Sequence, residues 1–326
     1  MSAGTKTPVR RALAVAAAVL MLAPVLAACQ TPPAPDLDSA PVCAAEGAAS
    51  KQVTAESELF QQPQVDFPAG LSVGTTERSV LVEGEGPEAE AGSLVTVDYV
   101  AYDARTSEQL EATAYGAEGI GNTVFRLAAG DAVLGLRRAL VCSTAGSRVA
   151  AVVPAAEASA LVVDSRGMAD DDAIVFVFDV VAVASDYADG AAQPVPEGLP
   201  AVDDTDGRPV VTIPSSEAPS TLQIAAVRQG DGLTVREGAD VAVKFVGLLW
   251  RNGLLFEENW SNRAPEMQSS LDFLPGFTAA IVGQEVGSRM LVVVPPEDGY
   301  GPDGDSSGSI TGTDTLVYVI DILATT

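Results

Sequence analysis

Two stretches of the chain are diverged copies of one another, and this repeat limits the possible fold more tightly than composition does. PQVDFP at residues 63–68 returns as PVVTIP at 209–214, 146 positions later. The same offset relates Gly84-Glu85-Gly86 to Gly230-Asp231-Gly232, Gly92 to Gly238, and Val97-Asp98-Tyr99-Val100 to Val243-Lys244-Phe245-Val246. Further along, Gly135, Gly146 and Ser147-Arg148 match Gly276, Gly287 and Ser288-Arg289 at an offset of 141. The first copy is therefore longer in its middle, within SEQLEATAYGAEGIGN. Two modules of one topology are expected, over 60–186 and 208–326. A Pro-, Gly- and Asp-rich linker over 187–207 separates them, and a small-residue tether over 29–59 precedes them.

Within each copy the pattern is that of strands with one short helix. VTVDYV at 95–100 and VAVKFV at 241–246 alternate as half-buried strands do, and RMLVVV at 289–294 and LVYVIDI at 316–322 are rich in β-branched residues. FTAAIV at 277–282 follows Pro275-Gly276 and places Phe277 and Ile281 one helical turn apart. The expected class is α+β: a twisted antiparallel sheet packed on one short α-helix, twice.

The N-terminal end sets the compartment. Lys6, Arg10 and Arg11 precede an apolar run from about residue 12 to 28, which contains Pro24 and is short for the ~20 residues of a membrane crossing. Residues 1–28 read as an export leader, an uncleaved span being the alternative. Leu26-Ala27-Ala28-Cys29 resembles the lipobox of bacterial lipoproteins. That resemblance implies cleavage before Cys29, lipid on that residue, and an extracytoplasmic protein held at the cell membrane by membrane lipid. Cys43 and Cys142 then remain as one pair in an oxidising compartment, where a disulfide is expected and two separate buried thiols are the alternative.

Charge and histidine content remove whole classes of function. The formal net charge is −26, which repels nucleic acid and favours solubility. With no histidine in the chain, histidine-based triads and histidine metal sites are absent. Of the metal motifs, Asp303, Asp305, Ser307, Gly308, Ile310 and Asp314 match most positions of a calcium loop, but Pro302 before and a strand after replace the helices such a loop requires. No metal and no cofactor is expected.

The second copy carries VKFVGLLWRNGLLFEENW, then FLPGFTAAIVGQEVGSRMLVVVPPEDGYG, then TLVYVIDIL. In order and spacing these blocks resemble the FKBP-type peptidyl-prolyl cis-trans isomerase family. The resemblance rests on Phe256-Glu257, Leu274-Pro275-Gly276-Phe277, Gly283, Gly287, Pro295-Pro296 and Gly299-Tyr300-Gly301 together. It implies an aromatic pocket in which Phe245 stands at a Tyr position, Phe256 at the following Phe, and Phe277 in place of the Trp that floors the pocket. Tyr300 matches a hydrogen-bonding Tyr, Tyr318 replaces a Phe, and Glu257 stands for an Asp. Phe273 and Leu274 hold aliphatic positions, the Leu274 N–H being the implied donor to the substrate carbonyl. Ile310 matches an aliphatic flap residue, and Met267 is expected on the remaining wall.

The first copy resembles the same fold with the site lost. Tyr99 and Leu110-Glu111 keep positions, but Leu134-Gly135-Leu136 shrink the floor and AAEA after Pro154 leaves Ala158 where Tyr300 would stand. The implied activity is isomerisation of proline-containing segments of exported proteins by the second copy alone, with macrolides of the rapamycin type as possible ligands. A non-catalytic peptide-binding chaperone or scaffold is the alternative.

Overall fold

The computed structural model describes residues 43–115, 121–203, 207–262 and 264–326, all within one compact unit, Leu37–Thr326. Cys29 and the expected leader, residues 1–28, lie outside the described residues. β1 (Thr54–Glu56) and β2 (Gln64–Asp66) form a short hairpin. β3 (Glu77–Val82), β4 (Leu94–Asp103), β5 (Gln109–Ala112), β6 (Thr123–Arg126), β7 (Arg148–Pro154) and β8 (Ala173–Ala184) build an antiparallel sheet in the order β3-β7-β8-β4-β5, with β6 also on β4. Helices α1 (Leu134–Leu140) and α2 (Ala160–Arg166) flank β7 in sequence. After β9 (Ala191–Ala192) and the hairpin β10 (Ala201–Asp203) and β11 (Val210–Thr212) comes a second sheet. It contains β12 (Gln223–Gln229), β13 (Asp240–Leu249), β14 (Leu255–Glu258), β15 (Glu266–Ser269), β16 (Arg289–Val294) and β17 (Leu316–Thr325), with α3 (Pro275–Ile281) between β15 and β16. Its order, β14-β13-β17-β16-β12 with β15 on β13, repeats that of the first sheet, and β9 adds a strand beyond β12.

Both faces of each sheet are covered, which explains why β4, β13 and β17 are buried along almost their whole length rather than on alternate residues. In the first sheet, Val95, Val97, Tyr99 and Ala101 face α1, while Val100, Val152 and Val175 face the opposite layer. In the second, Val243, Phe245, Tyr318 and Ile320 face α3, and Val246, Leu248, Val317 and Val319 face away from it. Helix α3 starts with Pro275 at a position where its missing N–H costs nothing. Gly276 lets the helix sit directly on β16, since a Cβ there would lie 2.6 Å from Val294 Cγ1.

The back layers come in part from segments whose composition suggested connectors. From Cys43 onward the expected tether is ordered: its Ala49 and Val53, together with Phe67, Leu71 and Val73 from the start of the first module, cover the first sheet. The expected linker does the same for the second sheet through Val195, Leu199 and Val202, joined by Val211 and Ile213 from the start of the second module. Small and polar residues dominate the first segment, and prolines, glycines and acids interrupt the second, so their sparse apolar residues gave no period to read. Each segment is also tied to a buried ion pair. Arg148 and Asp179 pair at 2.6 Å, as do Arg289 and Asp321, each pair almost wholly excluded from solvent. Asp179 accepts the Phe60 N–H at 2.7 Å and Asp321 accepts the Ala188 N–H at 2.8 Å. Cys43 and Cys142 form a disulfide with Cα atoms 5.8 Å apart, joining the start of the back layer to the end of α1.

The sheets meet at strand ends, the start of β4 against the end of β17, where Leu94, Ala242, Leu323 and Ala324 make a small buried cluster. Lys244 adds a hydrogen bond to the Asp186 carbonyl at 2.9 Å. Among the described residues no helix is long and apolar enough to cross a membrane. Asp305 and Asp314, from the calcium-like motif, cap turns: Asp305 accepts the Ile310 N–H at 2.6 Å, and Asp314 accepts the Thr311 N–H at 2.7 Å and pairs with Arg251.

Candidate active site

The hollow that gathers the expected residues lies between α3 and the concave face of the second sheet. Phe245 reaches it from β13, Tyr318 from β17, and Phe277 from the first turn of α3, all three almost fully buried. Phe245 and Phe277 meet edge to face at 5.4 Å, and Phe277 and Tyr318 do so at 5.3 Å. Phe273, at the approach to the helix, stacks on Phe277 at 4.4 Å. These edge and offset contacts are the arrangements aromatic quadrupoles favour, so the rings hold one another in place. The cavity above them measures about 340 Å³, and Leu274, Pro275 and Tyr300 complete its apolar wall.

The remaining expected residues sit around this cavity in distinct ways. Phe256 lies behind it, packing edge-on to Tyr318 at 5.6 Å. Ile310 is buried in the same core cluster without lining the hollow. Glu257 lines the mouth and is exposed. Met267 does not close the wall: it is 42% exposed, and its neighbours Glu266 and Gln268 line the cavity instead. The two-residue alternation of β15 sends 266 and 268 to the side opposite 267.

Two positioning residues lie inside the block VKFVGLLWRNGLLFEENW but are not among those on which the resemblance rests. Asn259 accepts the Phe245 N–H at 2.8 Å and donates to the Val243 carbonyl at 2.9 Å, clamping the end of β14 back onto β13 beside the pocket ring. Gly247 leaves room for the rings: a Cβ there would stand 2.9 Å from both Phe256 Cζ and Tyr318 Cε1. A glycine inside an otherwise apolar strand was the available hint.

Electrostatics at the site favour neutral hydroxyls. Burial raises the Tyr300 hydroxyl above its usual value, with the charges of Glu257 and Asp305 adding to it. Burial likewise pushes up Tyr318, reinforced by Tyr300 and Glu257. Both remain proton donors across the physiological range. Glu257, exposed at the mouth yet partly desolvated by the pocket wall, is raised first by that desolvation and then by the neighbouring charge of Glu266. Among the described residues no group of histidine, cysteine and carboxylate side chains is placed to hold a metal.

At the corresponding place in the first sheet the rings are closed over. Tyr99 contacts Phe125, Phe176 and Phe178 at 6.0 to 6.2 Å, and Ala158, Val162 and Val163 pack against this cluster. The last two come from α2, which sequence reading did not anticipate, because a single apolar turn between polar residues gives no helical period.

Residues 232–323 match the family model described as FKBP-type peptidyl-prolyl cis-trans isomerase. A probable FK506-binding protein of Corynebacterium glutamicum is 34% identical over 118 residues, which are 36% of this chain and 98% of the relative. An FK506-binding protein of Streptomyces anulatus is 32% identical over 120 residues, 36% of this chain and 96% of the relative. Among solved structures, a peptidyl-prolyl cis-trans isomerase of Pseudomonas syringae aligns at a TM-score of 0.31 and 21% identity, covering 40% of this chain and 84% of that one.

Proposed function

The chain belongs to the FKBP-type peptidyl-prolyl cis-trans isomerase family, and from that premise we propose that its C-terminal module, 208–326, isomerises X-Pro bonds in exported proteins at the outer face of the cell membrane. Rotation about such a bond is opposed by amide resonance, with a barrier of ~18–20 kcal/mol, and unaided it takes tens to hundreds of seconds. At the twisted transition state the amide has lost charge separation, so water stabilises the planar ground state more than the twisted form. A proline ring seated on Phe277 between Phe245 and Tyr318 is removed from that water. The walls then favour the rotated form selectively, which is how binding energy becomes rate. The Tyr300 hydroxyl and the Leu274 N–H supply hydrogen bonds that orient the substrate carbonyls. No proton is transferred, so a chain without histidine loses nothing by it.

The observation that carries this reading is the convergence of Phe245, Phe277, Tyr300 and Tyr318 on one hollow of substrate size. The same topology in both sheets supports reading residues 60–186 as a degenerate FKBP-like module, with a structural role for a pocket filled by its own helix. The leader and Cys29 supply the proposed lipid anchor, and proline-containing segments of exported proteins are the proposed clients. A protease-coupled assay on a proline peptide tests the activity. Tyr300→Phe is expected to lower kcat/KM about threefold to tenfold, the worth of one hydrogen bond, and adding Phe256→Ala to lower it further. A rapamycin-type macrolide should inhibit the wild-type chain through this pocket. Background rates for the wild type and both variants would leave a peptide-binding scaffold as the reading.

A further inference from the structure

Three carboxylates from three different elements line the mouth of the aromatic cavity: Glu257 on β14, Glu266 on β15, and Asp272 in the turn before α3. All three are solvent-exposed, as rim groups that meet the flanks of a ligand would be. No described cation lines the same cavity. Those of the second half are engaged elsewhere. Lys244 is carried on the face of β13 opposite Phe245, and it lines a separate hollow with Arg208, Arg228 and Arg289. Arg251 pairs with Asp314, and Arg236 donates to the Thr326 carbonyl at 3.0 Å.

From this segregation we infer that the isomerase pocket is selective for prolines flanked by lysine or arginine. The inference rests on the isomerase reading of the same pocket and adds a substrate class to it. A proline on Phe277 brings its neighbouring residue past the rim, where a cation meets negative charge that no described cation lining the cavity offsets and an acidic residue is repelled. Because the carboxylates are exposed, the effect is screened by salt. Because the whole chain is acidic, the selectivity has to be separated from its general charge.

The test uses the full mature chain and the peptides Ala-Xaa-Pro-Phe, with Xaa as Leu, Lys or Glu, at low and high salt. Turnover of the Leu peptide reports isomerisation itself. The Lys peptide is expected to exceed the Glu peptide in kcat/KM by about fivefold to twentyfold at low salt, and by less at high salt. The double variant Glu266→Gln and Asp272→Asn should cut that ratio at least to half. Glu197→Gln with Glu217→Gln removes two charges on the back-layer side of the second sheet and should leave the ratio unchanged. Titrations of the same peptides read the preference as affinity, so it is measured even where turnover fails. Loss of turnover on the Leu peptide would sink the isomerase reading alone. A Lys-to-Glu ratio near one in both turnover and affinity, or an equal fall in both double variants, would overturn the selectivity.

Discussion

At the scale of single residues, the pocket depends on an atom that is missing. Gly247 faces Phe256 and Tyr318 at distances no Cβ could tolerate without moving a ring. Gly247→Ala is therefore expected to destabilise the protein by about 1–3 kcal/mol, as overpacking does, and to lower kcat/KM for a proline peptide more than it lowers stability would suggest. Activity measured well below the melting temperature separates the two effects, and unchanged kcat/KM would mean that the rings yield without cost. The pocket residues with chemistry of their own, Phe245, Phe277, Tyr300 and Tyr318, were legible because family spacing joins them along the chain. Gly247 and Asn259 were not, because what they do is set by partners brought together only in the folded sheet. Met267 was misplaced for a related reason: which face of β15 turns inward depends on a register with β13 that spacing alone does not fix.

At the scale of elements, the repeat disclosed the strands but not what holds the layers onto them. Ser147-Arg148 and Ser288-Arg289 were visible as matching dipeptides, and the folded chain shows why arginine is needed in both. Each guanidinium pairs with an aspartate across neighbouring strands and donates to carbonyls of the preceding segment, Ser57 and Glu58 for Arg148 and Gly207 for Arg289. A charge buried this deeply is costly without its partner. Arg289→Met is expected to destabilise by about 3–5 kcal/mol, measured by urea unfolding. Combining it with Asp321→Leu should recover part of that loss, since no unpaired charge then remains. A double variant no more stable than Arg289→Met would assign the cost to the backbone contacts of the pair, the Gly207 carbonyl held by Arg289 and the Ala188 N–H held by Asp321. The back layers were illegible because their covering residues, from Val53 to Val73 and from Val195 to Ile213, straddle the expected connector boundaries and are too widely spaced to show a strand or helix period.

At the scale of the whole molecule, the two sheets share a joint of four small or medium apolar residues, yet each has its own core and back layer. The disulfide belongs to the first sheet only. Cys43 and Cys142 are 99 residues apart in sequence, and closing a loop of that size restricts the unfolded chain enough to stabilise the fold by about 2–5 kcal/mol. Cys43→Ser with Cys142→Ser should therefore weaken the first sheet and spare the second, where the pocket lies. The chain offers its own reporter, because its two tryptophans, Trp250 and Trp260, both sit against the second sheet. In the double-serine variant the far-ultraviolet circular dichroism melt should begin at lower temperature than the tryptophan fluorescence melt. Isomerase activity should follow the fluorescence. If both signals fall together at one lowered temperature, the joint at Leu94 and Ala242 couples the sheets into a single folding unit, and the first would then act as a stabiliser of the second.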